Sequence, residues 1–237
     1  METQDLKQVR KIQKSILSDY ERDFSKHAPK EEVPRIQMVW NSIPGQLAKE
    51  NKKFVYGVLK SGGRAKEFEK AIVWLMDAGL IHKVNRVIRM KKSIKFYEDM
   101  KAFKLYLSDL GLLGAMTDVS AKDVLVNPSV FEEYKGSFTE QFVAQQYFAI
   151  RTDGLFYYTN ENSTCEIDFV MQGEDVFAVE VKAEENLRAK SLKSMLQKEN
   201  ELKGWRFSMS NFREEERFVN VPLYLCGEWM SAYFEET

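Results

Sequence analysis

Two cysteines and two histidines in 237 residues leave little material for a zinc centre. Cys165 and Cys226 stand far apart with no CxxC spacing, and His27 and His82 add no ligand pattern. So few thiols suit a reduced compartment better than a disulfide framework. No run of about 18 uncharged apolar residues occurs, and the opening METQDLKQVR is charged where a signal peptide would carry its apolar core. The expectation is a cytoplasmic chain with no membrane span. Pro and Gly are also sparse, at 5 and 12 residues. They mark no long linker, and no internal repeat or low-complexity segment is present.

What is present is ample core material, 44% hydrophobic and 13% aromatic, enough for one large or two small domains. The net charge of −1 conceals an asymmetry. Residues 1–110 hold 23 Lys+Arg against 14 Asp+Glu, net +9, and residues 111–237 hold 12 against 22, net −10. A basic half suits a phosphate backbone and an acidic half suits a divalent cation; mutual attraction of the halves, or of a partner, accounts for the asymmetry equally well.

Apolar Val9, Ile12, Ile16 and Leu17 at helical spacing predict a helix over 2–25, closed by the loop at His27-Ala28-Pro29. A second helix over 33–47 is expected to be interrupted at Ile43-Pro44-Gly45. Residues 64–78 place Phe68, Ile72, Leu75 and Met76 on one stripe and leave Arg64, Lys66 and Lys70 solvated, with Gly79 as terminator. Residues 80–87 then alternate as a β-ribbon carrying Lys83 and Arg86, with Arg89, Lys91 and Lys92 just beyond. Helices followed by a basic hairpin suggest a winged-helix-like module over 1–110, whose helix and wing would supply DNA contacts from Arg64, Lys66, Lys70, Lys83, Arg86, Arg89, Lys91 and Lys92. Such modules also serve as plain connectors. Residues 103–107, FKLYL, read as a short buried strand, and a helix is expected to start near Ser108.

The second domain, 111–237, reads as helix 129–151, strands 155–159, 165–172 and 176–182, helix 188–200, and strands 205–209 and 222–226. This αβββαβ order describes an α/β sandwich on a mixed sheet. Gly173-Glu174-Asp175 is a hairpin-sized connection. If Gln172 pairs with Val176, Asp168 falls opposite Glu180 and Glu166 opposite Lys182, with all four on one face. Facing carboxylates repel unless a cation lies between them. Asp168 and Glu180, with the Val181 carbonyl, form a candidate Mg2+ site, because Mg2+ takes few protein oxygens and keeps several waters. Lys182 could orient a water or balance a phosphate. Glu140, on the face of its helix shared with Val143, Ala144 and Tyr147, joins the set. The plainer alternatives are a cross-strand Glu166–Lys182 ion pair and carboxylates that simply face water.

Glu140, Asp168 and Glu180-Val181-Lys182 in this order resemble the E…D…ExK pattern of the PD-(D/E)XK superfamily of metal-dependent nucleases, which implies a restriction-endonuclease-like fold. The segments VRKIQKSILSDYERDFSKHAP, VPRIQMVWNSIPGQLAKENKKF, AIVWLMDAGLIHKVNRV, FKLYLSDLGLLGAM, FEEYKGSFTEQFVAQQ, EIDFV and VFAVEVKAEENLRAKSLKSM are similar to the C-terminal region of bacterial and archaeal AAA-family ATPases carrying the domain of unknown function numbered 4143. The resemblance spans Val9 to Cys226. It implies a catalytic set of Glu140, Asp168, Glu180 and Lys182, with Glu166 as an accessory. It also implies an ATPase domain ahead of these residues. The chain contains no G-x-x-x-x-G-K-[ST], so ATP would require that domain and no ATPase activity is expected here.

Three functions follow as expectations. The first is an accessory module of an AAA-type ATPase that binds DNA or a partner. The second is a Mg2+-dependent endonuclease using the acidic site. The third is assembly, on the ATPase domain or on further copies of the chain.

Overall fold

A computed structural model describes residues 5–119, 128–160, 162, 165–183 and 190–235. The chain forms two compact units whose segments interleave. Residues 1–83 and 105–134 make the first, and 84–104 and 135–237 the second.

The first unit is helical, with α1 Leu6–His27, α2 Val33–Leu47, α3 Ala65–Asp77 and α4 Leu110–Met116. Asp5 caps α1 by accepting the Lys7 and Gln8 backbone N–H groups. The Phe24 ring meets Trp40 edge-on at 5.8 Å and Trp74 at 5.6 Å, which ties α1, α2 and α3 together. Arg10 donates to the Val119 carbonyl at 2.6 Å and Lys14 pairs with Asp118, fastening α1 to the end of α4.

The expected break at Pro44 is absent, and α2 runs through it. Proline removes one hydrogen bond to the carbonyl four residues back, here that of Trp40. Burial of Ile36, Val39, Trp40, Ile43 and Leu47 along one face outweighs that single loss. Gly79 ends α3 as expected, at φ +70°. The Leu80 N–H reaches the Leu75 carbonyl and the Gly79 N–H reaches that of Met76, the paired closure that a left-handed residue permits.

The second unit is built on an eight-stranded mixed sheet. Its strands are β1 Ile81–Val87, β2 Glu98–Leu107, β3 Leu155–Thr159, β4 Glu166–Gln172, β5 Val176–Lys182, β6 Lys203–Ser208, β7 Arg213–Glu214 and β8 Phe218–Pro222, in the order β2-β1-β3-β4-β5-β6-β8-β7. The unit boundary falls within both β1 and β2. Pairs β1/β3, β5/β6 and β6/β8 are parallel, and β3/β4, β4/β5 and β7/β8 antiparallel. The helices are α5 Pro128–Ile150, α6 Lys190–Lys198 and α7 Cys226–Glu235. Leu192, Met195 and Leu196 of α6 pack with Ile167, Val170, Val176, Ala178 and Phe218 in one apolar cluster. Phe177, next along from Ala178 and so on the opposite face, stacks on Trp205 at 4.0 Å and meets Tyr233 of α7 edge-on. Tyr147 of α5 meets Phe234 of α7 at 5.9 Å. Helices therefore cover both faces, and β5 is buried along most of its length.

The α/β architecture and the αβββαβ order are present as α5-β3-β4-β5-α6-β6. The basic ribbon differs from a free-standing wing, because Asn85, Arg86 and Val87 of β1 pair with β3. The final strand also differs. It lies at Phe218–Pro222, and 222–226 is a strand end, a 3-10 turn at Leu223–Leu225 and the start of α7. Pro222 has no N–H to continue a ladder. The true strand is obscured in sequence by Asn220, fully buried among polar partners. Of the helix expected over 188–200, residues 188 and 189 lie outside the described residues.

Candidate functional site

The ladder between β4 and β5 has the expected register, Gln172↔Val176 through Phe169↔Val179. The pairs recorded stop there, one step short of Asp168 and Glu180. On the other edge of β4, Phe156 faces Val170 and Tyr158 faces Ile167, so one extra residue is inserted across Asp168-Phe169. This bulge places Ile167 and Val170, three apart, in the same apolar cluster. Strict alternation is broken at Asp168, and the four polar side chains do not follow the single-face pattern that counting predicts. Instead the Asp168 Oδ2 accepts the Val181 N–H at 2.8 Å, closing the gap where the strands part.

Glu140 is 4% exposed, on the buried face of α5 with Val143, Ala144 and Tyr147. Its Oε2 lies 3.6 Å from Nζ of Lys104 on β2, and the same ammonium lies 2.6 Å from Oε1 of Glu166. Lys104 is wholly buried and sits 4.9 Å above the Tyr157 ring. Glu166 thus pairs with Lys104, and Lys182 with Glu180 Oε1 at 3.3 Å. The other Glu180 oxygen, Oε2, is buried with no hydrogen-bond partner.

Asp168 retains some accessible surface but is packed deeply. Burial first, and the Glu140 charge second, push its carboxyl up to about 7, against the pull of Lys104, the Val181 N–H and Lys182. Lys182 is raised; burial opposes the charge, and Glu180, Asp168 and Glu140 together outweigh it. Lys182 is therefore in electrostatic reach of all three acids. Arg206, opposite Glu180 on β6, is fully buried, donates from Nε to Asn220 Oδ1 at 2.8 Å, and feels the charges of both Glu180 and Glu215.

The donor set suits a hard cation that takes two carboxylates and keeps its waters. Glu180 Oε2 lacks a hydrogen-bond partner, and the Asp168 carboxyl is held near 7 despite the charges of Lys104 and Lys182. Among the described residues, no group of three or more His, Cys, Asp or Glu side chains is close enough to share one metal ion. Val181 contributes its N–H to Asp168.

Sequence reasoning passed over Lys104 and Arg206. A lysine inside FKLYL, already read as a buried strand, was the available signal, since a buried ammonium requires carboxylates around it. Arg206 gave no such signal.

The basic residues are divided between the units. Arg64, Lys66 and Lys70 are exposed at α3 of the first, which also holds Lys83. In the second, Arg86 is clamped by Asp99 at 2.5 and 3.1 Å. Lys92 lies 4.0 Å from Asp175, while Arg89 and Lys91 are exposed.

A family model described as a domain of unknown function, DUF8612, matches residues 1–123, more than half of the chain. The chain belongs to the DUF8612 family. A second domain of unknown function, DUF4143, matches residues 135–225, the stretch that carries Glu140, Asp168, Glu180 and Lys182. No curated protein and no solved structure matches the chain. Among the described residues, no helix is long and apolar enough to cross a membrane.

Proposed function

We propose that the second unit binds one divalent cation, Mg2+ or Mn2+, at Asp168 and Glu180 and hydrolyses phosphodiester bonds of DNA. The observation that carries this reading is Glu180 Oε2, a buried carboxylate oxygen with no partner, beside a lysine that engages only its other oxygen. A bound Mg2+ would supply an acidified water and charge stabilisation at the phosphate. Asp168 and Glu180 would hold it. Glu180 orients Lys182 through Oε1, which leaves the ammonium to pair with a phosphate oxygen. Burial, with the Glu140 charge second, holds the Asp168 carboxyl up to about 7 in the metal-free state.

Calorimetric titration of Mn2+ into the intact chain and into Asp168→Ala tests this, with circular dichroism to check folding and plasmid nicking on the same samples. Saturable binding and nicking are expected, and both vanish in the folded variant. Absence of binding at millimolar Mn2+ would overturn the reading.

Arg89 and Lys91, exposed where β1 turns toward β2, favour a second reading in which the chain is a non-catalytic accessory module that grips DNA. An AAA-type ATPase domain, or a second copy of the chain, would then be its working partner. Binding to a DNA duplex should weaken steeply with salt and fall with Arg89→Ala/Lys91→Ala. Indifference to Asp168→Ala, together with no nicking, would favour this reading over the first.

A further inference from the structure

We propose that Lys104 is a built-in cation standing where a second metal ion would otherwise bind, so that the carboxylate cluster takes one divalent ion and not two. The inference rests on the metal-site reading above and fixes its stoichiometry.

Lys104 is the sole charged side chain in the stretch 102–107, which is otherwise Ala102, Phe103, Leu105, Tyr106 and Leu107, all buried. An ammonium in that position requires anions around it. Its anionic neighbours include Glu166 Oε1 at 2.6 Å and Glu140 Oε2 at 3.6 Å, and its charge also reaches Asp168. These carboxylates come from different elements, α5 and β4, and Lys104 on β2 is the cation between them. A divalent ion bridging Glu140 and Glu166 would need the space the ammonium fills.

The cations are spread over the acids: Lys104 serves Glu140 and Glu166, Lys182 serves Glu180, and the Arg206 charge acts on Glu180 and Glu215. The oxygen without a hydrogen-bond partner lies on Glu180, whose other oxygen Lys182 holds.

Mn2+ titration of the full chain, by calorimetry and by electron paramagnetic resonance, tests the assignment on wild type, Lys104→Met and Glu166→Gln. Wild type should bind one isolated ion. Lys104→Met should bind two, visible as a stoichiometry of two and a spin-coupled pair. Glu166→Gln, which leaves Lys104 in place, should keep wild-type affinity within about twofold. A folded Lys104→Met that still binds one ion, a wild type that binds two, or a tenfold loss of affinity in Glu166→Gln would each overturn the proposal. The last variant decides the matter if Lys104→Met fails to fold. If wild type binds none while Lys104→Met binds one, the Asp168/Glu180 site is refuted and Lys104 remains the resident cation. If neither binds, both readings fall.

Discussion

Asp168 holds its proton to about 7 in the folded chain, against an ordinary value of 3.8. Between those limits the folded state binds more protons than the unfolded one, so this group's contribution to stability is full below about pH 4 and is lost as pH rises toward 7. In chelator-treated protein, Asp168→Asn should therefore gain on wild type in thermal unfolding as pH goes from 4 to 7. Parallel melting curves across that range would refute the assignment. Asp168, Glu180 and Lys182 were legible in the sequence as candidates because charged residues stand out inside apolar strands, and Glu140 because it shares a helix face with Val143, Ala144 and Tyr147. Their mutual arrangement was not. The inserted residue at Asp168-Phe169 leaves no mark in a hydrophobic pattern, and it is what turns Asp168 onto the Val181 N–H. Lys104 was hidden for another reason: its carboxylate partners lie 36 and 62 positions further along the chain.

Elements were read well where one physical cause dominated. The bounds of β3 and β5 match their apolar runs, and α3 stops where Gly79 allows it. The reading failed where two causes competed. Pro44 disfavours a helix, yet burial of five apolar residues on α2 prevails. The outer half of β2, Glu98 to Lys101, is polar because it lies at a sheet edge. There Glu98 and Asp99 bond to Asn85 and Arg86, so no alternation announces the strand. Two glycines separate these effects by experiment. Gly45 lies exposed in α2 with open space around its Cβ position, so Gly45→Ala should stabilise by about 0.5–1 kcal/mol. Gly79→Ala meets no atom either, but at φ +70° it should destabilise by about 1–2 kcal/mol. Urea unfolding of the two variants should shift in opposite directions.

For the whole molecule, the chain leaves each unit and returns to it. Residues 84–104 supply the second unit with most of β1 and with β2 as far as Lys104, although they lie inside the DUF8612 match at 1–123. Periodicity read along a chain places boundaries one after another and carries no sign of such a return. A fragment of residues 135–237 would thus expose the free edge of β3 and strip Glu140 and Glu166 of Lys104. It should lose near-UV circular dichroism or precipitate, whereas a fragment of residues 84–237 should keep its aromatic signal. A well-folded 135–237 would show that β1 and β2 are dispensable. The interleaving also bears on inheritance. A recombination joint at residue 135 would deliver a sheet short of two strands and an acidic cluster with its internal counter-ion left behind. Exchange of the second unit between lineages therefore requires a joint upstream of residue 84, so that residues 84–123 of the segment matched as a separate family travel with it.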